Sequence, residues 1–281
     1  MDFDSIVKDT TQYNFHSHTQ FCDGRATMEV MAGAAVACGM KYYGFTPHSP
    51  IPFASPCNMK AASVEAYLEE VERIRRNPAF AACRFYAGME VDYIDPSWGP
   101  ANPYFSRLPL DYTIGSVHFI PTQSGEPVDI DGHFDSFRRR MDQCFRRDID
   151  YVVETFYRQS MAMVEAGGFD ILGHLDKVGQ NASYYAPGIE DGSHYRGLVR
   201  EYTHLIIEKG LAIELNTKAR KEHGRFFPGE VLLPEFVRAS LTILVNSDAH
   251  YPDRIDASRD EALELLRNAN YEFCGQKAVE V

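Results

Sequence analysis

Short runs rich in β-branched and aromatic residues alternate along this chain with longer amphipathic stretches, and this alternation limits the possible folds more than any other feature. The runs Tyr13–Ser17, Tyr42–Thr46, Arg84–Met89, Tyr112–Val117, Ile171–Gly173, Ala212–Asn216 and Thr242–Asn246 read as strands. Thr27 is placed to cap a helix that runs to Cys38 and closes at Gly39. Ser63 is placed to cap another, which reaches Arg76 before Pro78 stops it. Further helices are expected to end at Gly167-Gly168, to run from about Tyr195 to Gly210, and to cover Ser258–Asn268. Strands separated by helices imply a parallel sheet, because parallel neighbours need crossover connections. The segments Ile51–Ala61, Asp95–Leu108 and Pro121–Asp135 are rich in Pro, Gly and polar residues and read as long loops, which are usually functional in a compact domain. With 281 residues and no linker or repeat, the chain is expected to form a single domain over 1–281.

The histidines follow the strands. His16, His18, His48, His118 and His174 fall at or just after strand candidates, and His250 follows the last by a few residues. Glu90 and Asp248 share the pattern, and a parallel α/β barrel gathers such positions on one face. Neutral imidazoles and carboxylates are ligands for Zn, Fe or Mn, and a bridging carboxylate can hold two ions. In His16-Ser17-His18 the strand spacing points both rings to one side. The remaining His133, His194, His204 and His223 read as surface or internally satisfied polar residues.

The formal net charge of −12 argues against a nucleic-acid partner, which favours clustered Lys and Arg, but not against a small phosphorylated metabolite. No run approaches the roughly 20 apolar residues a membrane span needs, and the acidic start Met1-Asp2-Phe3-Asp4 is unlike a secretory signal. A cytoplasmic location follows as an expectation. The six cysteines are scattered without a Cys-x-x-Cys pair and are expected to be reduced.

The motifs Asn14-Phe15-His16-Ser17-His18-Thr19 with Asp23-Gly24, Phe45-Thr46-Pro47-His48-Ser49-Pro50 and Gly88-Met89-Glu90-Val91-Asp92-Tyr93 come first. Gly115-Ser116-Val117-His118-Phe119, Gly173-His174-Leu175-Asp176 and Ser247-Asp248-Ala249-His250 complete the set. In this order they resemble the PHP (polymerase and histidinol phosphatase) superfamily, and most of all its histidinol-phosphate phosphatase branch. The resemblance implies an α/β fold of distorted (β/α)7 TIM-like barrel type, with the active site at the C-terminal ends of the strands. It also implies two or three divalent ions. One would take His16, His18, Glu90 and Asp248; a second would share Glu90 and take His118 and His174; a third would take Asp23, His48 and His250. Many superfamily members carry histidine where this chain has Asp23, and an acidic residue where it has Pro47.

The implied reaction is hydrolysis of L-histidinol phosphate to L-histidinol and phosphate, a step of histidine biosynthesis. Glu90, Asp248 and His250 are the candidate catalytic residues. Bound ions would lower the pKa of a water toward about 7 and clamp the phosphoryl oxygens. Arg158 and Arg220 are candidate phosphate contacts, since a guanidinium matches phosphate geometry, and Lys218 is a weaker candidate. The proton for the leaving group is left open between Asp248, His250 and water. Phe53, Asp92, Tyr93 and Trp98, in the loops expected to choose the substrate, have no assigned role. Other readings are a related phosphoesterase acting on nucleotides or phosphotyrosine, an amidohydrolase, and a metal-binding regulatory module without catalysis.

Overall fold

The computed structural model describes residues 1–273, so Cys274 lies outside the described residues. The strands are β1 (Tyr13–Asn14), β2 (Tyr42–Phe45), β3 (Arg84–Ala87), β4 (Glu90–Asp92), β5 (Ile114–Ser116), β6 (Phe119–Pro121), β7 (Pro127–Asp129), β8 (Ile171–Leu172), β9 (Ala212–Asn216) and β10 (Ile243–Asn246). The first helices are α1 (Phe3–Asp9), α2 (Met28–Ala37), α3 (Val64–Arg76), α4 (Pro103–Ser106), α5 (Phe134–Gln143) and α6 (Ile149–Ala166). They are followed by α7 (Val178–Tyr185), α8 (Ser193–Lys209), α9 (Arg220–His223), α10 (Leu233–Arg238) and α11 (Arg259–Asn268). Thr27 does cap α2, its hydroxyl accepting from the Val30 N–H, and Gly39 beyond the end has φ +74°. Ser63 makes no such cap; a 3-10 turn over Ala61–Ser63 leads directly into α3.

Every expected strand has a counterpart, and every pairing between them is parallel, as crossover helices require. Of the expected seven-stranded barrel, the described residues show the α/β fold and its parallel strands, in two separate sheets. The parallel strands form one sheet in the order β1-β2-β3 and another in the order β10-β9-β8-β5-β4, with no closed sheet among the described residues. The reason is local. The third run breaks at Gly88-Met89, so β3 pairs back to β2 while β4 pairs forward to β5. Between β10 and β1 the backbone pairing is reduced to the isolated parallel bridge Ser17–Ala249, and at the other gap to the bridge His48–Glu90. Both interruptions are thus occupied by, or flanked by, the candidate ligands.

Apolar packing surrounds this frame. The largest cluster joins α6 (Phe156, Tyr157, Val164) and α8 (Tyr202, Ile206) to β9 and β10 through Ile213, Leu215, Ile243 and Val245. A second packs α2 and α3 against Tyr43, Phe45 and Phe85, and a third sets Phe3 and Val7 of α1 over Phe15, Tyr112 and Leu244. Tyr112 is wedged so tightly that a Cβ on Gly44 would lie 1.8 Å from its hydroxyl oxygen. Glycine is therefore the residue that lets β2 pass. The segment expected as the loop Pro121–Asp135 holds β7 of an antiparallel hairpin and the start of α5. Cys22, Cys38, Cys57, Cys83 and Cys144 are free thiols, as expected of them.

Candidate metal centre

The nine candidate ligands come together at the ends of the parallel strands. His16 and His18 follow β1, His48 follows β2, Glu90 opens β4, His118 follows β5, His174 follows β8, and Asp248 and His250 follow β10. Ligand atoms of His16, His18 and Asp248 lie within 4.8 Å of one another, as do those of His48, Glu90 and His118, and those of His18, Asp23, His48 and His250. Glu90 is the hub, with its Oε2 2.9 Å from His48 Nδ1, 3.3 Å from His16 Nε2 and 3.6 Å from His18 Nε2. Its Oε1 is 2.9 Å from His174 Nε2 and 3.4 Å from His118 Nε2, and it accepts from the Ser116 hydroxyl. The order along the chain, with ligand-type residues just past most of the parallel strands, is what made this cluster readable.

His16 Nε2, His18 Nε2, Asp23 Oδ1 and Glu90 Oε2 are buried and have no hydrogen-bond partner. Buried polar atoms are normally satisfied, so four orphans converging from imidazoles and carboxylates fit divalent cations. Asp248 has the left-handed φ of +48°, a strained geometry for a non-glycine residue that aims its carboxylate at His18 Nε2, 3.1 Å away.

The electrostatics follow from packing so many titratable groups out of water. Burial would raise Glu90, but His16, His48 and His118 outweigh it and hold the carboxyl well below its ordinary range. Burial likewise opposes ionisation of Asp248, yet Lys218 and His16 keep it well below the usual value. His16 is pulled down by burial but held well above the normal imidazole range by Glu214, Glu90 and Asp248. His118 is raised to about 9, with Asp92 and Glu90 overcoming its burial. His18 goes the other way, depressed by burial and then by His250 and His48.

The two arginines expected to contact phosphate are paired with acids away from the cluster. Arg158 is half-exposed on α6 and bonds Glu201 of α8 at 2.6 Å; Arg220 bonds Glu261 and Glu230 on the outer surface. Neither pairs with any candidate ligand among the described residues. An arginine pattern in sequence carries no information about which acid will claim it, and here exposed glutamates do. The cations at the centre are lysines. Lys218 Nζ is 3.1 Å from Asp248 Oδ1 and 3.4 Å from His250 Nε2, and Lys177 Nζ is 2.7 Å from Asp131 and 4.0 Å from Asp248 Oδ2.

Sequence reading also missed the partners behind the ligands. Asp92 accepts from His118 Nδ1 at 2.7 Å, and Glu214 of β9 accepts from His16 Nδ1 at 2.8 Å. Glu214 did leave a signal, an acid in the middle of the otherwise buried run Ala-Ile-Glu-Leu-Asn. Trp98 donates to the Pro50 carbonyl and stacks on Tyr104, and the Tyr93 carbonyl accepts from Gln159. Two clefts open beside the cluster. One of about 360 Å³ is reached past Asp23, His250 and Lys218, and one of about 210 Å³ lies between Asp131, His133, Phe134, Lys177 and Phe227.

Parallel strands with helical crossovers, and a cluster of histidines and carboxylates at the strand ends, define an α/β protein of metal-site type. The sequence profile of the PHP domain matches residues 14–218, and the chain belongs to that family. It is 27% identical over 267 residues to the histidinol-phosphatase of Bacillus subtilis (strain 168), covering 89% of this chain and 97% of that protein. Its fold is similar to the histidinol phosphate phosphatase of Lactococcus lactis subsp. lactis Il1403, solved with zinc, L-histidinol and phosphate. The TM-score is 0.72 at 21% identity, with 93% of this chain and 94% of that one covered. A structure from Listeria monocytogenes described as a candidate histidinol phosphatase gives TM-score 0.77 at 17% identity, over 89% of this chain and 99% of that one.

Proposed function

We propose that this chain is a metal-dependent phosphomonoesterase that hydrolyses L-histidinol phosphate to L-histidinol and phosphate, in histidine biosynthesis in the cytoplasm. The observation that carries the metal site is the set of four unpartnered buried atoms, on His16, His18, Asp23 and Glu90. The choice of substrate is supported by similarity to the Bacillus subtilis enzyme along nearly its whole length. In this reading residues 1–281 form one PHP-type domain, and the two sheets are arcs of a distorted (β/α)7 barrel joined at the His48–Glu90 and Ser17–Ala249 bridges. The partner is a small phosphorylated metabolite, with no nucleic acid or membrane involved.

Two or three divalent ions, of Zn, Fe or Mn, would be held by His16, His18, Asp23, His48, Glu90, His118, His174, Asp248 and His250. Such ions would supply Lewis acidity toward a phosphoryl oxygen and lower the pKa of a water molecule toward about 7. Glu90 offers one carboxylate oxygen to each of two groups of histidines, the geometry of a bridging ligand. Asp248 and His250 sit between those histidines and Lys218, at the reacting end of the cleft. Lys177 and Lys218 are the groups we assign to phosphate, replacing Arg158 and Arg220, because their ammonium groups flank Asp248. The smaller cleft supports a leaving group with an amine and an imidazole, since Asp131 and His133 stand beside the aromatic walls of Phe134 and Phe227.

The test is a comparison of kcat/KM for L-histidinol phosphate, p-nitrophenyl phosphate and several nucleotides, using protein purified without chelators. Strong preference for L-histidinol phosphate is expected. Equal weak rates on all monoesters would overturn the substrate and leave a general phosphoesterase.

A further inference from the structure

Glu214 is wholly buried on β9 and takes four donors. Its Oε2 accepts from His16 Nδ1 at 2.8 Å and from the Asn246 amide at 3.3 Å. Its Oε1 accepts from the His174 backbone N–H at 2.8 Å and from the Asn216 amide at 3.0 Å, and Asn216 also donates to Asp248 at 3.3 Å. Burying a carboxylate costs several kcal/mol unless its lone pairs are met, so such a residue in a strand core is placed for a reason beyond packing.

The two oxygens reach different parts of the cluster. One holds the ring of His16; the other holds the backbone of His174, whose Nε2 lies on the far side of Glu90. Both histidines are proposed ligands, but of different ions. We infer that Glu214 is a positioning residue that links two ion positions, by fixing the tautomer of His16 and the backbone of His174 at once. This rests on the metal reading of the site. A carboxylate can only accept, so the neutral ring of His16, the form that can bind a cation, keeps its proton on Nδ1 beside Glu214 and turns its Nε2 lone pair to Glu90 and Asp248. Nε2 is among the unpartnered buried atoms, as a ligand atom awaiting a cation would be.

Glu214→Gln separates this role from simple packing. The amide keeps the volume and one accepting oxygen. Where its NH2 faces His16 it donates, which turns Nδ1 into the lone-pair nitrogen and puts the hydrogen on Nε2, where it blocks coordination. Zinc is the probe: the full-length chain is stripped, reloaded with zinc, dialysed, and analysed for zinc per chain and for zinc affinity by competition with a chelator. Zinc affinity in E214Q is expected to fall by about 10–100-fold, the usual effect of losing a partner behind a ligand. Wild-type zinc content and affinity in a folded E214Q would overturn the inference. If E214Q does not fold, the zinc-loaded wild type still decides. Long-range 1H–15N spectra of its imidazoles should show His16 with hydrogen on Nδ1, and hydrogen on Nε2 would overturn the proposal. Neither readout uses phosphate release. A wild type that holds zinc but hydrolyses no phosphomonoester sinks the phosphatase reading and leaves Glu214 standing.

Discussion

At Glu90 one carboxylate faces five histidines, and nothing else in the cluster touches so many. Glu90→Gln keeps the shape but removes the charge that binds cations. Several kcal/mol of transition-state stabilisation should go with it, so kcat/KM should fall by roughly 10³-fold or more. Steady-state kinetics at matched metal occupancy check this. Lys218→Ala is expected to lower kcat/KM by about 10–100-fold, the size of a charge-assisted hydrogen bond, while Arg158→Ala and Arg220→Ala stay within about twofold of wild type. A large loss at Arg158 or Arg220 would return the phosphate to the arginines. The nine candidate ligands were legible as a cluster because metals accept few residue types and strand ends are where a parallel sheet presents them. The roles of Glu214, Asp92 and Lys177 were not, even where a buried acid in a strand marked Glu214, because each acts through a contact with a residue tens of positions away.

Among the elements, the strand runs could be read because β-branched and aromatic residues cluster in them, but their partners could not. Nothing in Arg84–Met89 reveals that the run breaks at Gly88 and changes neighbours, nor does the stretch after His118 show the period of the β6–β7 hairpin, whose strands are three residues each. Gly44 tests how tightly β2 passes Tyr112, whose hydroxyl donates to the Phe15 carbonyl at 2.7 Å. Gly44→Ala should destabilise the fold by about 1–3 kcal/mol through overpacking, seen as a lower urea midpoint; an unchanged midpoint would mean that Tyr112 yields freely. Farther out, Glu190 bonds Arg225 through both oxygens, at 2.7 and 2.9 Å, and Arg225 reaches on to Asp176. Burial would raise the Glu190 carboxyl, but Arg225 and Ser183 hold it below its ordinary value. A depressed folded pKa stabilises above the unfolded value of about 4.3 and loses that contribution as the pH falls through the folded one. Glu190→Gln should therefore be less stable than wild type at pH 7 in urea melts, with the gap closing on acidification below about pH 4. A gap independent of pH would contradict the ion pair's role.

For the molecule as a whole, a net charge of −12 coexists with a centre where lysines and histidines surround the carboxylates. Cations bound there would join the two sheets at the interruptions where the strand ladder is reduced to isolated bridges. Ions that bind only the folded chain stabilise it by mass action, so stripping them with a chelator should lower the melting temperature and re-adding zinc should restore it. If the convergent His and carboxylate set holds the ions on which phosphate release depends, occupancy and activity must rise together. Titrating zinc into the stripped full-length chain, while following bound zinc per chain and phosphate release from L-histidinol phosphate together, tests it most directly. Two or three ions bound per chain and activity that rises with their occupancy are expected, both lost in Glu90→Gln. Full activity in the stripped protein, or zinc binding that Glu90→Gln leaves intact, would contradict it.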